Sequence, residues 1–424
     1  MLKTPNPADS RSIEIQPGII RGFLNVPPSK SITHRLMVMA ALSSAKCRII
    51  QPLNSEDTRL TLQGLQQMGY EAKWETNVLI FSGKYSPPAS PVILQAGNSG
   101  TTARLLTAVA ALRQYSVRIE GSERLHQRPA APLTAALRKL GAEISDTAGH
   151  YPLQIRKGVQ RGGTVKVDAS QSSQFLSALY LIAPLLPEGL KIIPEGKVVS
   201  RPYTELTLAL MTKHGIRLKQ TGRIADIPGG QAYGSIEMVV EGDYSSAAFF
   251  ICGAALSGGE ITIGNLPRHS VQGDKKIIEI IRAAGGQADF GSGGLSIRGG
   301  SLHGVEPDMA DIPDLVPPTA VMLLFAKGSS CLKNVAHLRH KESDRLLALQ
   351  ENIRRLGANA EIRGNDFFIF PGAMKGCKLP SYGDHRIAMS FALAGLKIPG
   401  ILIEEPECVA KSYPDFWQHL QDTR

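Results

Sequence analysis

No apolar stretch approaches the roughly 20 residues that cross a bilayer, and the opening segment MLKTPNPADSRS has no apolar centre of the kind a secretion signal needs. A cytoplasmic protein is therefore expected. Cysteine is scarce: Cys47, Cys252, Cys331, Cys377 and Cys408 are scattered, odd in number and without CxxC spacing. That distribution fits neither a disulfide framework nor a zinc site, so the thiols are expected to be reduced. His337 and His340 lie three apart without the carboxylate of an HExxH pattern, and no metal is expected. Aromatic residues make up only 6% of the chain, too few for the stacking platforms of single-strand nucleic-acid binders. The net charge is +10, yet Lys and Arg form no long run.

Hydrophobic residues at 43% and charged residues at 20% are ordinary globular usage and argue against disorder. The most informative feature is a rhythm. One series of apolar helices begins near Lys30, Asn98, Ser172, Asp243, Asp314 and Asp384, spaced by about 71 residues. A second series is marked by its stops: LQQMG, LRKLG, MTKHG, IRAAGG and IRRLG end at Gly69, Gly141, Gly215, Gly285 and Gly357. Glycine tolerates the left-handed turn that closes a helix. Between the helices lie runs of strand character, among them CRII, NVLIF, SVRIE, TVKVD, EITI, DFFIF and ILIE.

Each unit therefore reads strand, helix, strand, helix, strand, strand, and about six units fill the chain. The sixth stops early, whereas SIEI at Ser12 to Ile15 is a spare strand that completes it if both chain ends share a lobe. A core tends to split beyond roughly 250 residues, which makes three units the natural half. The expected organisation is α/β (α+β), with two similar lobes. One comprises residues 1–20 with 241–424 and the other residues 21–240.

The cations are concentrated at or beside helix starts: Lys30, Arg35, Arg104, Arg128, Lys341, Arg345, Arg386 and Lys411. A helix start carries free N–H groups and a partial positive charge, so a cation placed there opposes the helix. The placement makes sense where an anion is to be bound, phosphate or carboxylate above all.

Taken singly, each segment also has a plain reading. PPSKSITHR (Pro27 to Arg35) is either an anion site or a helix capped by Ser29 or Ser31. GNSGTTAR (Gly97 to Arg104) lets backbone N–H groups approach an oxyanion, but no GK[ST] follows and a Walker loop is excluded. SSQFL (Ser172 to Leu176) and Ser200 in VVSRPY serve equally as caps. In LRHKESDR, Lys341 and Arg345 are four apart and would share a helical face beside Glu342, which also describes an exposed salt-bridged helix entrance. YGDHR (Tyr382 to Arg386) sets a carboxylate, an imidazole and a guanidinium just ahead of a very apolar helix.

Jointly, PPSKSITHR, GNSGTTAR, HQRP, SSQFL, SRPY, IPDL, HKESDR, YGDHR and AKSYPDF, in this order from Pro27 to Phe416, closely resemble the EPSP synthase (3-phosphoshikimate 1-carboxyvinyltransferase) family. The resemblance implies an inside-out α/β barrel in each lobe, helices packed inside sheets, and an active site in the cleft between lobes that close over the ligands. It implies transfer of the enolpyruvyl group of phosphoenolpyruvate to the 5-hydroxyl of shikimate 3-phosphate, releasing phosphate, on the route to chorismate and aromatic amino acids. No cofactor, metal, nucleic acid or membrane is implied, and a monomer is expected.

By motif matching, shikimate 3-phosphate is expected at Lys30, Ser31, Arg35, Ser172, Ser173, Gln174, Ser200, Tyr203, Asp314 and Lys341. Phosphoenolpyruvate is expected at Lys30, Asn98, Gly100, Arg128, Gln174, Arg345, Arg386 and Lys411. Lys30, Asp314 and Glu342 are the expected catalytic groups. Two positions depart from the best-known plant and enterobacterial pattern: Leu105 stands where Pro follows the loop arginine, and Gly383 replaces Asn in YNDHR. The family is the target of glyphosate, and these changes leave the response of this chain open. A sister family acting on UDP-N-acetylglucosamine and a basic nucleic-acid-binding repeat protein are the alternatives. The first lacks its mobile-loop cysteine here between Glu120 and Pro129; the second does not account for Asp314, Glu342 and Asp384 beside the cations.

Overall fold

The computed structural model describes residues 11–89 and 91–424. The chain divides into two compact units. A terminal unit takes the described residues up to Pro27, then Gly242–Arg339 and Ser343–Arg424; a central unit takes Pro28–Glu241 and the short segment His340–Glu342.

Among the described residues each unit contains three small sheets, and most repeat one pattern: a parallel pair followed by an antiparallel hairpin. In the central unit Val92–Gln95 runs parallel to Val117–Glu120, which pairs antiparallel with His150–Lys157, and that strand with Glu143–Thr147. Gly163–Asp168, Leu190–Glu195, Ile224–Ile227 and Lys219–Thr221 repeat the arrangement. The remaining sheet, Cys47–Ile50 with Val78–Tyr85 and Tyr70–Glu75, is completed by Glu237–Val239 from the far end of the unit's sequence.

In the terminal unit the spare strand Ser12–Ile15 pairs antiparallel with Ile401–Glu404, as its unassigned β pattern suggested. Arg21–Leu24 runs parallel to Glu260–Ile263. The first crossover therefore falls after Pro27 rather than after residue 20. Its cause is the ladder, which pairs Arg21–Leu24 residue by residue with Glu260–Ile263. The third sheet sets Asp366–Phe370 between Ser330–Leu332 and Asn359–Arg363.

The first helix series forms the centre of each unit. In Lys30–Ala41 every residue from Ile32 onward is buried, and in His385–Gly395 all are. Tyr244–Ser257 is buried from Tyr244 to Leu256. A helix apolar on all sides belongs inside a core. Gly100–Ala110 packs on Gln174–Ile182, and Val316–Leu323 on Tyr244–Ser257 and His385–Gly395. The second series is amphipathic. Its five stop glycines all have positive φ, from 89° at Gly215 to 101° at Gly357. At Gly69 a Cβ would also strike the Ser86 carbonyl, so no other residue closes that helix without moving the chain.

The cysteines are free thiols, and burial pushes that of Cys408 up to about 12. Among the described residues no helix is long and apolar enough to cross a membrane. Phe249, Phe250, Tyr413, Phe416 and Trp417 form an aromatic cluster in the terminal unit, with the Phe250 ring 5.8 Å from Phe416 and 5.9 Å from Tyr413. Phe250→Ala should lower the unfolding free energy by about 3–5 kcal/mol, the usual cost of a large buried cavity. A urea titration comparing midpoints checks this, and an unchanged midpoint would refute it.

Candidate functional site

In the central unit the helix starts converge on cations. Lys30, the first residue of its helix, lies 3.0 Å from Asp57 Oδ2, the second residue of Glu56–Gln67. Five residues further, Arg35 is fully committed within the unit. Its Nε donates to Thr207 Oγ1 at 2.7 Å, its Nη1 to the Ser31 carbonyl at 2.9 Å, and its Nη2 to the Tyr203 carbonyl at 2.9 Å and Ser177 Oγ at 3.2 Å. Burial lowers its pKa to about 10, so the guanidinium stays charged at neutral pH. Arg35 thus ties the starts of three helices, those beginning at Lys30, Gln174 and Arg201.

Gln174 is equally constrained. Its Oε1 accepts from Arg104 Nη1 at 2.6 Å and its Nε2 donates to Thr101 Oγ1 at 2.9 Å, which fixes both ends of the amide. Arg104 is 2% exposed, lies over the Phe175 ring and donates to the Pro129 carbonyl. Burial, and next the neighbouring Arg128 cation, hold its pKa below the ordinary guanidinium value. Arg128, also buried, donates to the Asn98 carbonyl at 3.2 Å and lies 3.6 Å from Glu342 Oε1. A Cβ at Gly100 would stand 2.5 Å from Arg128 Cζ and 2.8 Å from Arg104 Nη1, which explains the smallest residue there.

Lys341 and Glu342 are held by their backbone: Arg124 Nη2 donates to the Lys341 carbonyl at 3.0 Å and Asn98 Nδ2 to that of Glu342 at 3.4 Å. The expected shared helical face of Lys341 and Arg345 is not formed. Asp344 caps the helix, accepting from Leu347 N at 3.2 Å, so Arg345 is its first residue and Lys341 lies outside it.

Serine begins three of these helices without capping them. Ser29, Ser173 and Ser200 occupy the cap position with no side-chain cap bond, whereas Ser99 accepts from Thr102 N. Ser200 is buried at φ 55°, a left-handed conformation costly for any residue with a Cβ. Strain retained at a helix start marks a position serving more than the helix.

In the terminal unit a carboxylate and guanidinium network gathers four segments. Arg345, 0% exposed, donates through Nε to Asp384 Oδ2 at 2.8 Å, through Nη2 to Asp384 Oδ1 at 3.3 Å and through Nη1 to Asp314 Oδ1 at 2.9 Å. Asp314 Oδ2 lies 3.0 Å from Arg386 Nη2. Arg386 Nη2 also donates to Ser245 Oγ at 2.9 Å, and Ser245 Oγ in turn to Asp243 Oδ1 at 2.5 Å. This is not the exposed salt bridge that the HKESDR segment also allowed. Lys411 is buried at the end of the 3₁₀ turn Pro406–Lys411. Gly383 has φ 62°, a conformation that Gly and Asn share, so its replacement of Asn preserves the backbone. Among the described residues no group of three or more His, Cys, Asp or Glu is placed to hold a metal ion.

Asp57, Arg124 and Ser245 were not singled out from sequence. Asp57 and Ser245 lie in the first turns of their helices, and only spatial pairing with Lys30 and Arg386 gives them a role.

The model of the family described as EPSP synthase (3-phosphoshikimate 1-carboxyvinyltransferase) matches residues 15–420. The chain belongs to the EPSP synthase family. It is 38% identical over 412 residues to a 3-phosphoshikimate 1-carboxyvinyltransferase of Methanoculleus marisnigri, covering 96% of this chain and 97% of the relative. A second, from Syntrophobacter fumaroxidans, is 39% identical over 95% of this chain and 97% of its own length. The fold matches a solved EPSP synthase from Acinetobacter baumannii with a TM-score of 0.79 at 28% identity, over 97% of this chain and 98% of that one. The family resemblance carried by the nine motifs is borne out, as is the mixed α/β fold of several mixed sheets. Sequence and fold agree over nearly the whole chain.

Within that frame the terminal network yields an ordering. Asp384 is 0% exposed and Asp314 21%. Asp384→Asn weakens the pairing of a buried guanidinium and should cost on the order of 3 kcal/mol, with Asp314→Asn costing less because water compensates. Denaturant titration of both variants checks the order, which is refuted if Asp314→Asn proves the more damaging.

Proposed function

We propose that this chain is a 3-phosphoshikimate 1-carboxyvinyltransferase, moving the enolpyruvyl group of phosphoenolpyruvate to the 5-hydroxyl of shikimate 3-phosphate in the cytoplasm, as a monomer and without a cofactor. The observation that carries this reading is the pairing of carboxylates with cations. Glu342 lies against Arg128, and Asp314 bridges Arg345 and Arg386. Each carboxylate needed for proton transfer thus stands beside a guanidinium that the motifs assign to phosphoenolpyruvate.

In this reading Lys30, Asn98, Gly100, Arg128, Gln174, Arg345, Arg386 and Lys411 receive phosphoenolpyruvate. Ser31, Arg35, Ser172, Ser173, Ser200, Tyr203 and Lys341 receive shikimate 3-phosphate, with Lys30, Gln174 and Asp314 serving it too. Ser173 and Ser200 suit the role because their hydroxyls do not cap their helices. Arg35 acts chiefly by holding the Ser31 and Tyr203 backbone in place.

The reaction sets the remaining demands. The enol carbon that bears the phosphate becomes electrophilic when its methylene neighbour is protonated, and the 5-hydroxyl oxygen attacks it as a base removes the hydroxyl proton. A tetrahedral adduct results. Loss of the methyl proton then expels phosphate, whose negative charge the arginines stabilise. Glu342 and Asp314 are the proton-transfer groups, with Lys30 as a further one.

Phosphate release should require both small substrates and should not occur with UDP-N-acetylglucosamine as acceptor. Glu342→Gln should lower turnover by roughly 10²–10⁴-fold, the typical worth of a positioned proton donor or acceptor, while ligand affinities measured by calorimetry change little. Undiminished turnover would remove Glu342 from proton transfer.

A further inference from the structure

Behind Lys30 and the Gly97–Gly100 turn lies a run of buried polar groups to which the proposed chemistry gives no task. His34 Nδ1 lies 2.8 Å from Thr61 Oγ1, and Thr61 Oγ1 lies 2.8 Å from Thr102 Oγ1. Thr102 Oγ1 donates to the Asp57 carbonyl at 3.1 Å and lies 2.9 Å from Ser99 Oγ, the hydroxyl that caps Gly100–Ala110. His34, Thr61 and Thr102 are each 0% exposed. Polar groups are retained in such surroundings only when paired, and an unmet partner is costly.

The spacing is regular. His34 follows Lys30 by one helical turn and Thr61 follows Asp57 by one turn, so the same two helices are joined twice. The outer joint is the Lys30–Asp57 ion pair at 3.0 Å and the inner one is His34–Thr61. Thr102 then ties both to the start of the third helix.

Proton counting gives the chain a direction. Thr102 Oγ1 is the donor toward both the Asp57 carbonyl and Ser99 Oγ, so its single proton is spent on these two acceptors. Thr61 then donates to Thr102, and His34 must donate to Thr61 through Nδ1–H. Ser99 Oγ accepts from both the hydroxyl and the backbone N–H of Thr102.

We infer that the chain His34–Thr61–Thr102–Asp57 runs in this one direction and is a positioning device, fixing Lys30 and the Gly97–Gly100 turn relative to each other for phosphoenolpyruvate. The inference rests on the assignment of Lys30 and Gly100 to that substrate. All three side chains are positioning residues, none touching the reacting atoms.

Two measurements test it on the full-length enzyme. Nitrogen NMR of the histidine rings should find a proton on His34 Nδ1; a ring protonated only at Nε2 overturns the direction, whatever the variants do. Thr61→Val, which keeps the shape and removes the hydroxyl, should raise the KM for phosphoenolpyruvate about tenfold, the worth of one buried hydrogen bond. The KM for shikimate 3-phosphate should change less, and Thr61→Ser should restore the wild-type value. Equal changes in both KM values, or none, overturn the positioning role. Should Thr61→Val fail to fold, Thr102→Ser and Thr102→Val supply the same pair. Lys30→Met separates the premises: if it leaves the phosphoenolpyruvate KM unchanged, the substrate assignment fails. If it raises that KM while Thr61→Val does not, only the relay fails.

Discussion

A cation at the start of a helix opposes the helix's own field, and nearly every feature of both units follows from holding such cations in place. Lys30, Arg345 and Arg386 are each at or near the first residue of a helix, where the unpaired N–H groups already carry partial positive charge. Each is compensated by a carboxylate from another segment: Asp57, Asp384 with Asp314, and Asp314. For buried guanidinium groups this pairing decides whether the charge can stay. The desolvation of Arg345 is offset only because three of its donors meet carboxylate oxygens.

The scaffold answers the same requirement from the other side. Among the described residues, three largely buried helices per unit supply rigid starts, since an apolar helix packed on nearly all sides cannot shift without opening cavities. The small sheets that flank them need only short strands, and each is completed where necessary by a strand from elsewhere in the chain, as Glu237–Val239 and Arg21–Leu24 show. Fixed helix starts let a serine such as Ser200 be kept in a strained conformation, because the surrounding packing over-determines it.

Much of this was legible in the chain itself. The 71-residue spacing, about two strand–helix pairs and a hairpin, gave helix starts that fall within a residue or two of Lys30, Gly100, Gln174, Tyr244, Val316 and His385. Each stop glycine has the positive φ that its position after an apolar helix implied. Asp243 is the instructive exception. No cation stands beside it in sequence, yet in the fold it accepts from Ser245, which holds Arg386. A side chain that acts through a second one leaves no periodic or compositional mark.

The sequence by itself determined the repeat, the buried helices and the nine motifs that place the chain in its family, because periodicity and glycine placement act over a few residues and need no partner. Tertiary structure alone decided which carboxylate holds which cation. It also decided that Lys341 lies outside the helix begun by Arg345, and that His34, Thr61 and Thr102 meet. Those pairings join residues far apart in sequence, Thr61 with Thr102 at 41 positions and Ser245 with Arg386 at 141. Their geometry depends on how whole helices pack, a property that no local pattern encodes.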